Sequence, residues 1–209
     1  MINAYNSNAM AARIASQLEE SIATKQRVLD GHLPVLAHMA QVLIDALRNG
    51  NRVFFFGNGG SAADSQHIAA ELVGRFMRER AALPAMALST DTSILTALAN
   101  DYDYNVVFAR QIEAFGQPGD VAVGISTSGN SGNVLEGVRA AKERGMTTLA
   151  LTGETGGKLR DMVDVCFCAP SRVTSHIQET HIAVSHSLCE LVEKELFDSD
   201  EQQVDGKAA

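Results

Sequence analysis

At 209 residues, 45% of them hydrophobic and 20% charged, the chain is long enough to bury the core of one α/β domain, and its composition excludes a disordered or collagen-like protein. A formal net charge of -8 and a pI near 5.2 argue against broad electrostatic binding to nucleic acid or to an anionic membrane surface, so a phosphate ligand must be held by local groups. No apolar run approaches the roughly 18 residues that span a bilayer, and MINAYNSNAMAAR lacks a signal peptide's basic start and apolar block, so the expected location is the cytoplasm.

The N-terminal 50 residues predict two helices, with Ile14, Leu18 and Ile22 on the first and Leu36, Met39, Leu43 and Leu47 on the second at helical spacing. The first is suited to packing on another subunit. Five short apolar, β-rich runs follow: VFFFG from Val53, AMALS from Ala85, VAVGIS from Val121, TTLALTG from Thr147 and VDVCFCAP from Val163. Between them lie helical patterns over Ala62–Arg78, Tyr104–Phe115 and Val134–Arg144, and a last helix is expected from about Ser175 to Phe197. The alternation predicts a doubly wound parallel sheet of flavodoxin-like order with helices on both faces. The expected organisation is one domain over 1–209, with N-terminal helices at about 9–49, an α/β core at about 50–197 and a fraying tail at 198–209.

Three cysteines cannot all pair within one chain, and Cys166 and Cys168 flank Phe167 as same-face strand residues would, so they read as core thiols. There is no CxxC and hence no cysteine zinc site.

Two strand-to-helix junctions are built for anions. Gly57-Asn58-Gly59-Gly60-Ser61 follows the first strand, and Ser126-Thr127-Ser128-Gly129-Asn130-Ser131 follows the third; small residues, free backbone N–H groups and hydroxyls meet a helix N-terminus at both. Either alone could be a plain helix cap. In a parallel sheet, loops at the carboxyl ends of neighbouring strands meet at the switch point and can share a ligand. A Rossmann dinucleotide site fits less well, because the glycines at 57, 59 and 60 do not form GxGxxG and no strand-end acidic residue obviously awaits a ribose.

His67 and Glu71, four apart, stack on one helix face. Gln178, His181 and His186 share the last helix, with Gln178 and His186 projecting within about 80° of each other. A metal or an acid/base pair could use both helices, and His67, Glu71, Gln178 and His186 make a chemically plausible zinc set, although glutamine is an unusual ligand. The competing reading is a surface His–Glu pair and helix-lining histidines. Asn100 and Asp101, between helical segments, could contact sugar hydroxyls or simply form a capping turn.

The segments NGGSAADSQHIAAELVGRF, LTALAND, GISTSGNSGNV, LALTGETGGKL and RVTSHIQETHIAVSH resemble phosphoheptose isomerases, and the likeness runs from about residue 15 to 197. The resemblance implies the sugar-isomerase (SIS) fold and a homotetramer with active sites at subunit interfaces. It also implies conversion of sedoheptulose 7-phosphate to D-glycero-D-manno-heptose 7-phosphate, which feeds lipopolysaccharide core heptose. Matched residue by residue, it implies substrate contacts at Asn58, Gly59, Gly60, Asn100, Asp101, Ser126, Thr127, Ser128 and Ser131. It further implies one zinc per subunit on His67, Glu71, Gln178 and His186, with Gln178 and Glu71 also near substrate. Glu71 and His186 become the acid/base pair, Glu71 as base. No direct nucleic-acid or membrane partner is expected. A SIS-fold regulator that associates with the replication initiator DnaA shares the fold, and a sugar-phosphate-sensing SIS module is a third class; Glu71 and His186 distinguish the isomerase from both.

Overall fold

Strands β1 (Val53–Gly57) and β3 (Val121–Ser126) are buried at every residue, and β4 (Thr147–Thr152) at all but its first, as befits strands covered on both faces. With β2 (Ala85–Ala87) and β5 (Val165–Cys168) they form one parallel sheet in the order β2-β1-β3-β4-β5, the doubly wound order expected. The computed structural model describes residues 7–204, with side chains over 8–198. Strand parity sorts the core into two layers. Phe55, Val123, Leu149, Leu151 and Phe167 face one side of the sheet, whereas Phe54, Phe56, Ala122 and Ala150 face the other.

The first layer is covered by α2 (Leu33–Arg48), α3 (Gly60–Val73) and α8 (Thr174–Val204), with α1 (Ser7–Gly31) outside them. The second is covered by α5 (Ala109–Phe115), α6 (Gly132–Glu143) and the one-turn α7 (Leu159–Met162), with α4 (Thr92–Asp101) at its margin.

Several boundaries differ from the sequence reading, each for a local reason. The helix expected over Ala62–Arg78 stops at Val73, because Gly74 N–H turns back to the Ala70 carbonyl and the next residues are held from outside the helix. The pattern over Tyr104–Phe115 is a 3₁₀ turn at Tyr104–Val106, capped by Asp103, followed by α5. Asn100 and Asp101 do not lie between helices; they end α4, which Asp91 caps through the Ile94 N–H. Strand β5 begins at Val165 rather than Val163.

α8 continues past Phe197 to Val204, so residues 198–204 of the expected tail are helical, and 205–209 lie outside the described residues. Cys166 and Cys168 do share a face, but both are half-buried rather than core. Their sulfurs stand 3.7 Å apart. That thiol–thiol hydrogen bond is the largest cause of a Cys168 pKa lowered to about 6, and it pushes Cys166 up.

Candidate active site

The switch point of the sheet lies between β1 and β3, where the chain leaves to opposite faces and both anion loops emerge side by side. Their tie is an amide pair that contiguous sequence could not reveal. Asn58 and Asn133 exchange Nδ2–H···Oδ1 bonds of 2.8 Å in each direction, fixing the first loop against α6.

In the second loop the hydroxyls converge. Ser126 Oγ lies 3.0 Å from Ser131 Oγ and 3.4 Å from Ser128 Oγ. Ser131 occupies the N-cap of α6 but makes no side-chain cap bond, so its hydroxyl faces its neighbours rather than its own helix. Gly129 permits the loop's shape: its φ is +65°, and a Cβ there would stand 1.9 Å from the Gly156 carbonyl oxygen. Converging hydroxyls at a helix N-terminus can hold an anion without a basic side chain.

A second group of candidate residues meets at the contact of α3 with α8. His67 Nε2 lies 3.1 Å from Glu71 Oε1 and 3.4 Å from His186 Nε2. The donor atoms of all three residues fall within 4.8 Å of one another, with His67 exposed and the other two half-buried. Phe76 stacks its ring on His186, with centroids 5.6 Å apart and planes at 22°; sequence reasoning had placed Phe76 inside a helix and assigned it nothing. Asp64, one turn before His67, carries an Oδ2 that is buried without a hydrogen-bond partner among the described residues. Burial pushes its carboxyl up, against the opposing pull of His67 and His186.

The remaining candidates are spread around these two groups. Gln178 lies against Gly60, where an added Cβ would come 2.3 Å from its Nε2, so a side chain at 60 would displace it. Eight residues of α8, about 12 Å of helical rise, separate Gln178 from His186, so the two meet α3 at different turns. Asn100 donates to Asp101 at 2.8 Å, and both are exposed; no hydrogen bond joins either to the other candidates among the described residues. His181 takes no part in the cluster. It is fully buried with its Nε2 2.9 Å from the Thr152 carbonyl oxygen, and burial lowers its pKa to about 4.

The donor set fits a metal. His67 Nε2 faces both Glu71 Oε1 at 3.1 Å and His186 Nε2 at 3.4 Å, so one ring nitrogen is aimed at two other donor atoms at once. Ligands at roughly 2.0–2.1 Å from a tetrahedral zinc stand about 3.3 Å apart, close to both separations.

Residues 11–153 match the SIS domain family. The chain is similar to the phosphoheptose isomerase of Roseiflexus sp. (strain RS-1), with 52% identity over 185 residues covering 88% of this chain and 94% of that one. It is similar to the phosphoheptose isomerase of Aquifex aeolicus at 51% identity, covering 88% of this chain and 97% of that one. The solved structure of phosphoheptose isomerase GmhA from Neisseria gonorrhoeae superposes with a TM-score of 0.84 at 45% identity, covering 88% of this chain and 99% of that one.

Proposed function

The chain belongs to the SIS-domain family and, within it, to the phosphoheptose isomerases, and on that premise we propose that the α3–α8 contact is its catalytic centre and the Ser126–Ser131 loop its phosphate grip. It is an aldose–ketose isomerase of sedoheptulose 7-phosphate, yielding D-glycero-D-manno-heptose 7-phosphate for the heptose of lipopolysaccharide core. The relatives favour this activity over the DnaA-associating regulator. The observation that carries the residue assignment is the convergence of Glu71, His67 and His186 within 4.8 Å on two helices.

Isomerisation moves a proton between C1 and C2 through an enediol and needs no external oxidant or reductant. Glu71 removes the C1 proton while His186 protonates the oxygen on C2, giving the enediol; Glu71 then returns its proton to C2 while the C1 hydroxyl gives its proton back to His186 as the C1 carbonyl forms. Ser126, Thr127, Ser128 and Ser131 hold the phosphate with hydroxyls and the α6 N-terminus, while Asn58, Gly59, Gly60, Gln178, Asn100 and Asp101 contact the sugar.

His67, Glu71 and His186 would hold one zinc ion per subunit, with Gln178 proposed as a fourth ligand from the resemblance; zinc there would polarise the carbonyl. The homotetramer that the resemblance implies would use α1, whose Ile14, Leu18 and Ile22 are 61%, 59% and 67% exposed among the described residues. No helix among the described residues is long and apolar enough to cross a membrane; the location we assign, from the likeness to metabolic isomerases, is the cytoplasm.

The test is conversion of sedoheptulose 7-phosphate by the purified protein, followed by NMR, before chelation, after it and after zinc is restored. Turnover lost to the chelator and recovered with zinc supports the assignment. Turnover indifferent to chelation removes the metal from it.

A further inference from the structure

Immediately behind the catalytic contact lies a buried ion pair that the isomerase reading does not use. Arg80 and Glu193 have side chains only 1% and 3% exposed, and Arg80 Nε donates to Glu193 Oε1 at 2.9 Å. Burying two charges is costly unless every donor and acceptor is answered, and here the answers come from the backbone around the site.

The guanidinium caps the end of α3. Its Nη2 donates to the Glu71 carbonyl at 2.7 Å, and its Nη1 to those of Leu72 at 2.8 Å, Gly74 at 3.3 Å and Ala81 at 3.0 Å. Glu71 and Leu72 lie in the last turn of α3, whose carbonyls have no partner within the helix, so Arg80 completes the turn that carries Glu71. The carboxylate does the reverse for the following loop. Glu193 Oε1 accepts the Phe76 N–H at 3.0 Å, and Oε2 accepts Met77 N–H at 2.7 Å and Arg78 N–H at 3.2 Å. Burial alone would raise this carboxyl's pKa, but the N–H donors and the arginine charge together hold it below the ordinary value.

Glu193 also stands seven residues after His186 on α8, so the two project within about 20° of each other. One end of the pair therefore grips the turn bearing Glu71. The other end grips the loop that lays Phe76 on His186, from the same helical face as His186 itself.

We infer that Arg80 and Glu193 are positioning residues, a buried clamp that sets Glu71 and the Phe76–His186 stack at their working separation. The inference rests on Glu71 and His186 being the catalytic pair. It concerns geometry rather than binding, so its signature is a loss of kcat with KM little changed, and misplacement of reacting groups by about 1 Å costs on the order of 10²-fold in rate.

A plain loss of activity in Arg80→Ala could mean only a weakened fold, so the decisive variant is Arg80→Met combined with Glu193→Leu. Apolar residues of similar volume can replace a buried ion pair with little loss of stability or even a gain, while the hydrogen bonds to Glu71, Phe76, Met77 and Arg78 disappear. Made in the full chain, this double variant should melt near the parent temperature yet lose about 10²-fold in kcat, with KM within about threefold. Its zinc affinity, read by competition with a chromophoric chelator, should fall about tenfold, a readout independent of turnover. Phe76→Leu, outside the ion pair, should lower kcat by about 2- to 10-fold without moving the melting temperature.

A double variant with parental kcat and parental zinc affinity would overturn the inference, as would an inert Phe76→Leu should the double variant fail to fold. If Glu71→Gln itself turns over normally, the catalytic reading has failed instead, and the two failures are told apart by that control.

Discussion

The Ser126–Ser131 loop and the α3–α8 contact, to which the proposal gives the two tasks of one enzyme, are built from opposite materials. The loop is made of six consecutive residues, carries no charged side chain and gathers its hydroxyls through contacts of 3.0 and 3.4 Å. The contact joins residues more than a hundred positions apart, His67 with His186 and Arg80 with Glu193, and relies on ionisable groups backed by a buried ion pair. A loop of neutral donors can lose one hydroxyl and keep its shape. A contact of interlocked charges behaves as one unit, because each charge left unpaired costs its full desolvation. Damage to the loop should therefore appear in affinity, and damage to the contact in rate and stability.

The largest effect should come from the contact. Glu71→Gln and His186→Gln each remove a proton carrier while keeping its size, and kcat should fall by about 10²- to 10⁴-fold with the fold intact by circular dichroism. Unchanged turnover in either would break the comparison at its centre.

α8 itself sharpens the contrast, since it bears a half-buried histidine, His186, and a fully buried one, His181, five residues apart. Burial lowers the His181 pKa to about 4 from an ordinary 6.5, so between those values the unfolded chain binds the extra proton. Stability is full above pH 6.5 and declines as pH falls toward 4, by roughly 3 kcal/mol at about 1.4 kcal/mol per pH unit. Asp164 and Glu193 have lowered pKa values, so their contributions are lost as pH falls below the ordinary carboxylate range, at the bottom of this window and beyond it. Asp64, raised by burial, acts in the opposite sense near the bottom of the window. Urea unfolding at a series of pH values should show the decline in the parent and a flatter profile in His181→Gln; parallel profiles would mean that His181 is not held neutral.

The same contrast explains what could be read in the sequence. Strands β1 and β3 are unbroken apolar runs, and the loops after them are contiguous small and hydroxyl-bearing residues, so the fold, the sheet order and the position of the two loops side by side were legible from local pattern. His67 and Glu71 were legible as a pair because four residues on a helix always share a face. Their meeting with His186 was only a possibility, and Asn133, Phe76 and the Arg80–Glu193 pair were invisible, because no spacing rule reports contacts 75 to 117 residues apart. Helix α4 is a different kind of miss. Its signal was present, with Asp91 as N-cap and Ile94, Leu95 and Leu98 at helical spacing, but none of its residues is buried and the pattern drew no attention.

On the loop side, Ser131→Ala should raise KM for the phosphorylated substrate with kcat little changed. A hydrogen bond to a charged group contributes about 1.5–3 kcal/mol, which sets the expected rise at roughly ten- to a hundredfold. Because Ser131 makes no cap bond to α6, the melting temperature should hold. A variant that loses kcat instead would place the loop in the chemistry and erase the division between the two regions.

The smallest effect should come from a second arginine of the segment after α3. Arg75 pairs with Glu79 at 2.8 Å, as close as Arg80 pairs with Glu193, but its partners are 57% and 87% exposed. Water screens both ions and stabilises them equally well when apart, so Glu79→Gln should change the unfolding free energy by less than about 0.5 kcal/mol. Both arginines stand within ten residues of Glu71, so proximity in sequence cannot separate them. Burial can, if the working difference is that Arg80 is wired to backbone carbonyls and Arg75 to solvent. Measured together by chemical denaturation and steady-state kinetics, Glu79→Gln should match the parent, while Glu193→Gln lowers both stability and kcat. Comparable losses in the two variants would mean that the segment tolerates no change of charge anywhere, and the distinction between a buried clamp and a surface pair would fail.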